Sequence, residues 1–432
     1  MLIRIIRNPI DAIPRAAYHA PMVHTEVLGR QRFHVMDPVL IQEVLVGNAD
    51  ALAKGPELRR SLGAALGQGL LTADGAHWKW QRQSASPIFR HDRLLAFLPA
   101  MLKAAADTGK RWQALPPGSH IDIGREMMHT TFDIIVETML SGRANIDVAQ
   151  AERAITHYLE ATGWVFALSL LNAPAWMPYP GKARADAASG FLRGAILRNT
   201  AARRAAGSHS GDLIDLLLSS SDPETGRTMS DDEITDNLLT FITAGHETTA
   251  LGLAWTFDLL SRHPDVAART IAEIETVTSG GELKPDHIGQ LTYTRQVFQE
   301  AMRVYPPVPI IARITTHQFT LANRPIPAGS MIYVPIYALH RHTALWERPE
   351  EFDPERFAPA LSKNRHRYAY LPFGGGPRIC IGSAFAMMEG VAILATLLRN
   401  IDLTSITAEP PKPRMRLTLR PERPLMMRVE QR

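Results

Sequence analysis

The chain carries one cysteine among its 432 residues, Cys380, in the run Phe373-Gly374-Gly375-Gly376-Pro377-Arg378-Ile379-Cys380-Ile381-Gly382. A single cysteine makes no intramolecular disulfide and no multi-cysteine zinc or iron–sulfur site. The glycine cluster leads into a helix-periodic run, expected from about Cys380 to Arg399. That puts the thiol at a helix start, where free N–H groups and the positive dipole end favour a thiolate. The alternative is an inert core thiol. Other glycine-rich devices fail. A Walker loop needs Gly-Lys-Ser/Thr, and a dinucleotide fingerprint starting at Gly374 needs glycine where Ile379 sits. A second polar group, Gly245-His246-Glu247-Thr248-Thr249, interrupts an apolar helical run. It is no zincin motif, because the residue four after His246 is Ala250. Glycine and paired threonines are poor helix formers and a core carboxylate is costly, so a local helix break is expected there, and with it function.

Taken together, these motifs resemble the cytochrome P-450 family. The cysteine run matches its haem-thiolate loop, Phe-x-x-Gly-x-Arg-x-Cys-x-Gly, at every fixed position. Trp78-Lys79-Trp80-Gln81-Arg82 resembles the family's Trp-x-x-x-Arg helix, and Ala244–Thr249 its oxygen-activating centre. Glu300-Ala301-Met302-Arg303 resembles its Glu-x-x-Arg pair, and Pro354-Glu355-Arg356-Phe357 the loop that completes that triad. The motifs occur in the family's order along nearly the whole chain.

The resemblance implies a haem b cofactor with Cys380 as the metal ligand, pushing electron density onto iron and favouring O–O cleavage. It implies that Gly376 and Gly382 let the backbone approach the sulfur and that Phe373 shields it from water. Trp78, Arg82, Arg313 and Arg378 become candidates for the haem propionates, since guanidinium groups offer carboxylates bidentate donors and stay charged. Glu300, Arg303 and Arg356 become a buried structural triad. Glu247 and Thr248 become the catalytic acid–alcohol pair that brings protons to oxygen. For each residue the plain alternative is packing or a solvated charge. His340, Arg341 and His342 show no metal spacing and read as irregular-loop residues.

The implied function is a haem-thiolate monooxygenase that inserts one atom of dioxygen into an apolar substrate. No flavin or nicotinamide motif is evident, so separate partners are implied, a ferredoxin or flavodoxin with its reductase. Lys79, Lys363 and Arg365 would then form a positive face for an acidic partner, unless they are simply solvated. Two rivals are a haem-thiolate peroxygenase or isomerase and a non-catalytic haem-binding sensor. An intact Glu247-Thr248 pair argues against both.

These residues need elements to position them. Ser230 and Glu233 form a capping box, and an apolar pattern then runs to Pro264, long enough to pass through a core. Thr25–Met36 reads as a hairpin around Gly29-Arg30, and Asp37-Pro38 opens a helix. From about Asp74 to Arg262 nearly everything is helical in period, broken by Pro/Gly clusters, mainly Pro116-Pro117-Gly118 and Pro174–Gly181. Short β-like runs follow at Arg313–Leu321 and Met331–Tyr337. The tail alternates Met415, Leu417 and Leu419 with arginines, a strand signature. The expected fold is mainly α with a smaller β-containing region, a single domain over 1–432. Its β part covers about 22–50 and 306–432, and its helical part about 74–305. In the P-450 fold the haem lies between a long central helix and the cysteine-loop helix.

Composition agrees. Hydrophobic residues are 45% and charged residues 21% of the chain, which excludes a disordered polymer. The net charge of +4 is spread thinly, without the basic block that nucleic acid would call for. Met1–Arg7 is interrupted by arginines, and no segment reads as a span, so no membrane anchor and a cytoplasmic location are expected. Leu62–Leu71, Trp164–Leu171, Phe241, Ile242, Ile310 and Ile311 are candidate substrate contacts or ordinary core.

Overall fold

The computed structural model describes residues 8–432 apart from position 28, scattered positions between 56 and 65, residues 140–149, scattered positions between 152 and 175, residues 208–211 and residues 223–224. Met1–Arg7, most of Trp164–Leu171 and part of Leu62–Leu71 lie outside the described residues.

In chain order the strands are β1 (Met22–Val27), β2 (Arg30–Val35), β3 (Leu52–Ala53), β4 (His120–Asp122), β5 (Ile311–Thr315), β6 (Phe319–Leu321), β7 (Arg324–Ile326), β8 (Met331–Val334), β9 (Ile401–Ser405), β10 (Pro413–Met415), β11 (Leu419–Pro421) and β12 (Met426–Gln431). The described helices longer than ten residues are α1 (Gly75–Ala85), α2 (Leu98–Gln113), α3 (Ile123–Met139), α4 (Lys182–Ala206), α5 (Asp231–Arg262), α6 (Pro264–Thr278), α7 (Thr292–Val304) and α8 (Ser383–Leu398). The chain divides into two compact units. One comprises Met1–Ala53, Met101–Thr130 and Thr248–Arg432, the other Lys54–Ala100 and Thr131–Glu247.

The first unit holds a five-stranded sheet in the order β1-β2-β8-β5-β3. Its β2–β8 pair is parallel and the others antiparallel. The expected hairpin is β1 and β2, and Asp37 caps the short helix Pro38–Gln42 through the N–H groups of Val39 and Leu40. Phe33, Val35, Ile41, Val44, Ile332 and Leu371 share one core cluster beneath this sheet.

One expectation gains an exception and two are corrected. The Asp74–Arg262 stretch, read as nearly all helical, holds β4 just after its expected break, paired with β12 near the chain's end, Ile121 opposite Met427. Such long-range pairing leaves no periodic trace in three residues. The tail alternation is no single strand but the β10–β11 hairpin, turned where the Arg416 N–H donates to the Thr418 carbonyl. The third concerns α5, which continues as α-helix through Gly245–Thr249 with no break. Buried Phe241, Ile242, Ala250 and Leu251 hold both sides of that turn, and tertiary packing outweighs weak local propensity. Its start is as expected: Ser230 and Glu233 exchange both capping-box hydrogen bonds, at 2.9 and 3.2 Å.

In the second unit, Asp236 of α5 pins the loop before α1. It accepts from the Gln68 N–H at 2.7 Å and pairs with Arg193 of α4. A Cβ at Gly67 or Gly69 would overlap it or its backbone.

Within the first unit, α5, α7 and α8 pack through one ring. Phe298 of α7 lies against Gly252 of α5, where a Cβ would meet the ring at 3.2 Å, and against Gly390 of α8, where a Cβ would overlap it. Beside Gly390, Glu389 is 1% exposed, and its Oε1 makes no well-formed hydrogen bond. Burial pushes this carboxyl up to about 8, and the Thr249 hydroxyl of α5 opposes only part of that shift.

The folded state therefore holds a proton on Glu389 that the unfolded chain has released above about pH 4.5. Stability falls as pH rises from there toward 8, by roughly 3 kcal/mol at pH 7. Glu389→Gln keeps the shape without the titration. Melting profiles at pH 5 and 8 should show the wild type losing stability that the variant retains, whereas parallel profiles would mean a solvated carboxylate.

Candidate functional site

The cysteine loop is clamped before its helix begins. Gly376–Arg378 forms a 3-10 turn, and α8 starts at Ser383, three residues beyond Cys380, with Gly382 as its N-cap. The Cys380 N–H donates to the Phe373 carbonyl at 2.9 Å, and the Gly374 N–H to the Leu371 carbonyl at 3.0 Å. Gly374 and Gly376 adopt φ of +72° and +69°, a region that favours glycine. A Cβ at Gly376 would overlap the Leu45 carbonyl, and one at Gly375 would meet the Tyr368 ring at 2.7 Å. These glycines thus have a steric reason beyond approach to a sulfur. Gly382, at φ −88°, has no such conformational need. Cys380 itself is exposed, although Leu371 before the loop and Phe385 after it are buried.

Behind the loop the expected triad is assembled. Glu300 and Arg303 of α7 are wholly buried. Arg303 grips the carboxylate in a bidentate fork, Nε to Oε2 at 2.6 Å and Nη2 to Oε1 at 2.7 Å. Arg356 Nε approaches Oε1 at 3.4 Å, and the Asp353 N–H donates to it at 2.9 Å. Burial pushes the Glu300 carboxyl up, while Arg303 and these other donors pull it back.

One reading around the triad is refined and one corrected. His340, Arg341 and His342 lie in an irregular stretch as expected, and all three are buried there. Arg365 is not a free surface charge. It donates to the Arg356 carbonyl and stacks over Trp346 at 4.4 Å and Phe357 at 4.8 Å. Lys79 and Lys363 are exposed. Trp346 packs this cluster together, and neither it nor Arg365 belongs to a motif that local spacing reveals.

The remaining candidates sit on firm elements. Arg313 is half-buried on β5, whose Ile311 touches the loop at Gly374. Arg378 is half-buried in the 3-10 turn. In the second unit, Trp78 and Arg82 are half-buried one turn apart on α1. On α5, Glu247 is 2% exposed and Thr248 is half-buried. Ala244, four residues before Thr248 and so on the same face, is exposed, while Phe241, Ile242, Ala250 and Leu251 are buried. The helix thus has one accessible face in a buried stretch. No group of three or more His, Cys, Asp or Glu side chains able to hold a metal occurs among the described residues.

A family model described as Cytochrome P450 matches residues 15–429. The chain belongs to the cytochrome P450 family. Cyclooctatin synthase of Streptomyces melanosporofaciens is 33% identical to it, over 96% of this chain and 91% of its own length. Cyclooctat-9-en-7-ol 5-monooxygenase of the same organism is 32% identical, over 90% and 84%. The crystal structure of the cytochrome P450DA heme domain matches with a TM-score of 0.86 at 26% identity, covering 95% of this chain and 90% of that one.

The protein is accordingly a haem b monooxygenase of the P450 fold, taking a substrate, dioxygen and electrons from redox partners. Its residues fit that cofactor. Haem needs an accessible thiolate, and the P450's only cysteine exposes its side chain on a loop clamped by its own hydrogen bonds. No helix among the described residues is long and apolar enough to cross a membrane.

The P450's triad generates a direct test. Glu300→Ala strips Arg303 of its counter-charge inside the core, a change worth about 3–5 kcal/mol. Haem incorporation and melting temperature should both drop; normal values would mean that Arg303 is satisfied by its carbonyl partners alone.

Proposed function

We propose that Cys380 is the residue whose thiolate would hold the haem and that the protein hydroxylates a largely hydrocarbon substrate. The observation that carries this reading is Cys380 itself, the one cysteine in the chain, exposed in a loop flanked by buried Leu371 and Phe385. Bound at that thiolate, the haem supplies dioxygen activation, with the sulfur's electron density favouring O–O cleavage. Phe373, half-buried and bonded through its carbonyl to the Cys380 N–H, excludes water from the thiolate. Arg378, Arg313, Arg82 and Trp78 take the propionates.

Glu247 and Thr248 handle protons. Thr248, half-buried on the accessible face of α5, would donate its hydroxyl into the site, and buried Glu247 would pass protons to it. A mid-helix threonine also commonly bonds a backbone carbonyl, so its reactivity needs its own test.

The relative 32% identical to this chain is by its name a monooxygenase of cyclooctat-9-en-7-ol. Phe241 and Ile242 in one unit, and separately Ile310 and Ile311 in the other, are candidate contacts for a comparably apolar molecule. Electrons come from a separate ferredoxin or flavodoxin with its reductase. Arg365 is half-buried and stacked on two aromatic rings, so exposed Lys79 and exposed Lys363 are each a better candidate for contact with an acidic partner.

Cys380→Ser removes the thiolate. The reduced carbon-monoxide complex should then lose the strongly red-shifted Soret band of thiolate haem, and retention of that band refutes the ligand assignment.

Thr248→Ala should leave substrate-induced spin change and electron uptake intact while diverting most of the consumed NADPH into hydrogen peroxide. Stoichiometry of NADPH, peroxide and product measures this; a variant as tightly coupled as the wild type reduces Thr248 to a helix residue.

A further inference from the structure

One buried titratable side chain is used by neither the triad nor the proton path. His340 is wholly buried, and both of its ring nitrogens are engaged. Nδ1 lies 3.2 Å from the Arg303 carbonyl oxygen in the last turn of α7. Nε2 lies 2.9 Å from the Leu371 main-chain nitrogen. A carbonyl only accepts and a peptide N–H only donates, so the partners assign the tautomer: Nδ1 carries the proton and Nε2 accepts. The ring is held flat by Tyr370, stacked at 5.2 Å and 26°, and edge-on to Trp346 at 6.3 Å.

The peptide so gripped opens the cysteine loop. The carbonyl of Leu371 receives the Gly374 N–H, and the carbonyl of Phe373 receives the Cys380 N–H. A chain of hydrogen bonds therefore runs from α7, through one imidazole, to the turn that leads to the thiol. At its other end, the His340 carbonyl accepts from Arg303 Nη1 at 2.8 Å. One residue is thus tied to the triad by its backbone and to the loop by its ring.

We propose that His340, locked as the Nδ1–H tautomer, is a positioning residue for Cys380, fixing the peptide at Leu371 from which the cysteine loop departs. This rests on Cys380 being the haem ligand. A protonated ring would set an Nε2–H against the Leu371 N–H, two donors facing each other. Burial, Arg303 and Arg341 hold the imidazole well below its usual range, so the bridge persists across neutral pH. Buried hydrogen bonds of this kind contribute by geometry: a donor left without its partner turns to find another, carrying its peptide with it.

The two bonds can be cut separately. Asn reaches the Nδ1 position and can still donate to the Arg303 carbonyl, but it leaves the Leu371 N–H without an acceptor. Gln reaches the Nε2 position and can accept from Leu371. In the reduced carbon-monoxide complex, at matched haem content, His340→Asn should convert more than half of the red-shifted Soret band to the unshifted form. His340→Gln should stay within a fifth of wild type. Equal spectra for the two variants, shifted or not, overturn the proposal, because a residue serving only to fill the core would not distinguish them.

Nitrogen NMR of histidine-labelled wild-type protein in the same reduced complex gives a readout independent of folding defects. The signal missing from the Gln variant should be an Nδ1–H imidazole that does not titrate between pH 5.5 and 8.5. A titrating ring, or the opposite tautomer, refutes the bridge. A wild type without any red-shifted band condemns the ligand reading instead, and the NMR result still decides the state of His340.

Discussion

A guanidinium sealed from water must find an acceptor for each of its five N–H groups, and Arg303 does. Two go to Glu300, and the others to the carbonyls of His340, Pro349 and Glu351. Leaving any donor unmet inside the core would cost on the order of 1–3 kcal/mol. The irregular stretch from 340 to 351 has no ladder of its own to satisfy its carbonyls there, so the arginine acts as its template. This explains how His340, Arg341, His342 and Trp346 can be buried in a segment without regular structure. It also explains why the triad matters for a loop it does not touch: Arg303 places the His340 backbone, and the His340 ring reaches the peptide before the loop.

The charge balance of this cluster points the same way. Glu300 faces three arginines, Arg303, Arg356 and the half-buried Arg365. Only Arg303 has the bidentate geometry. Arg365 spends its charge on two aromatic faces and a carbonyl. Buried ion pairs seldom stabilise more than well-packed apolar groups would, because desolvation offsets attraction. What such a cluster supplies is uniqueness: its acceptors are fixed in number and direction, so few alternative packings satisfy it.

How much of this is legible in the sequence depends on the range of the cause. Motifs whose chemistry lies within a few residues read well. The Ser230–Glu233 box and the Glu300–Arg303 pair sit as spacing implies, while Cys380 falls three residues before the helix it was expected to open. Elements decided by distant partners do not. Three residues at β4 become a strand because β12 arrives beside them, and the tail folds back because Thr418 supplies an acceptor for Arg416. The turn at Gly245–Thr249 looks breakable by propensity, yet packing on both sides carries the helix through it. His340 was visible as a histidine and invisible as a bridge. Metal spacing was the only local signal available to look for, while its true partners lie 37 and 31 residues away.

The loop glycines show how one motif can answer several constraints at once. Gly374 leans on Ile311 of β5, Gly375 on the ring of Tyr368, and Gly376 on the carbonyl of Leu45. These are three different elements, so the loop is clamped from three sides. The clamps are not equivalent. A methyl at Gly375 meets the ring of Tyr368, a side chain packed in the core beside Leu371. At Gly376 it meets main chain, and the left-handed backbone there disfavours any side chain as well. The strictest demand for glycine in the loop thus falls four residues before the thiol. It comes from a neighbour outside the motif, in the segment that follows the Pro38–Gln42 helix. Fixing the thiol is a task shared by chain segments more than 300 residues apart, and the hydrogen bond from Cys380 to Phe373 is the last link in that arrangement.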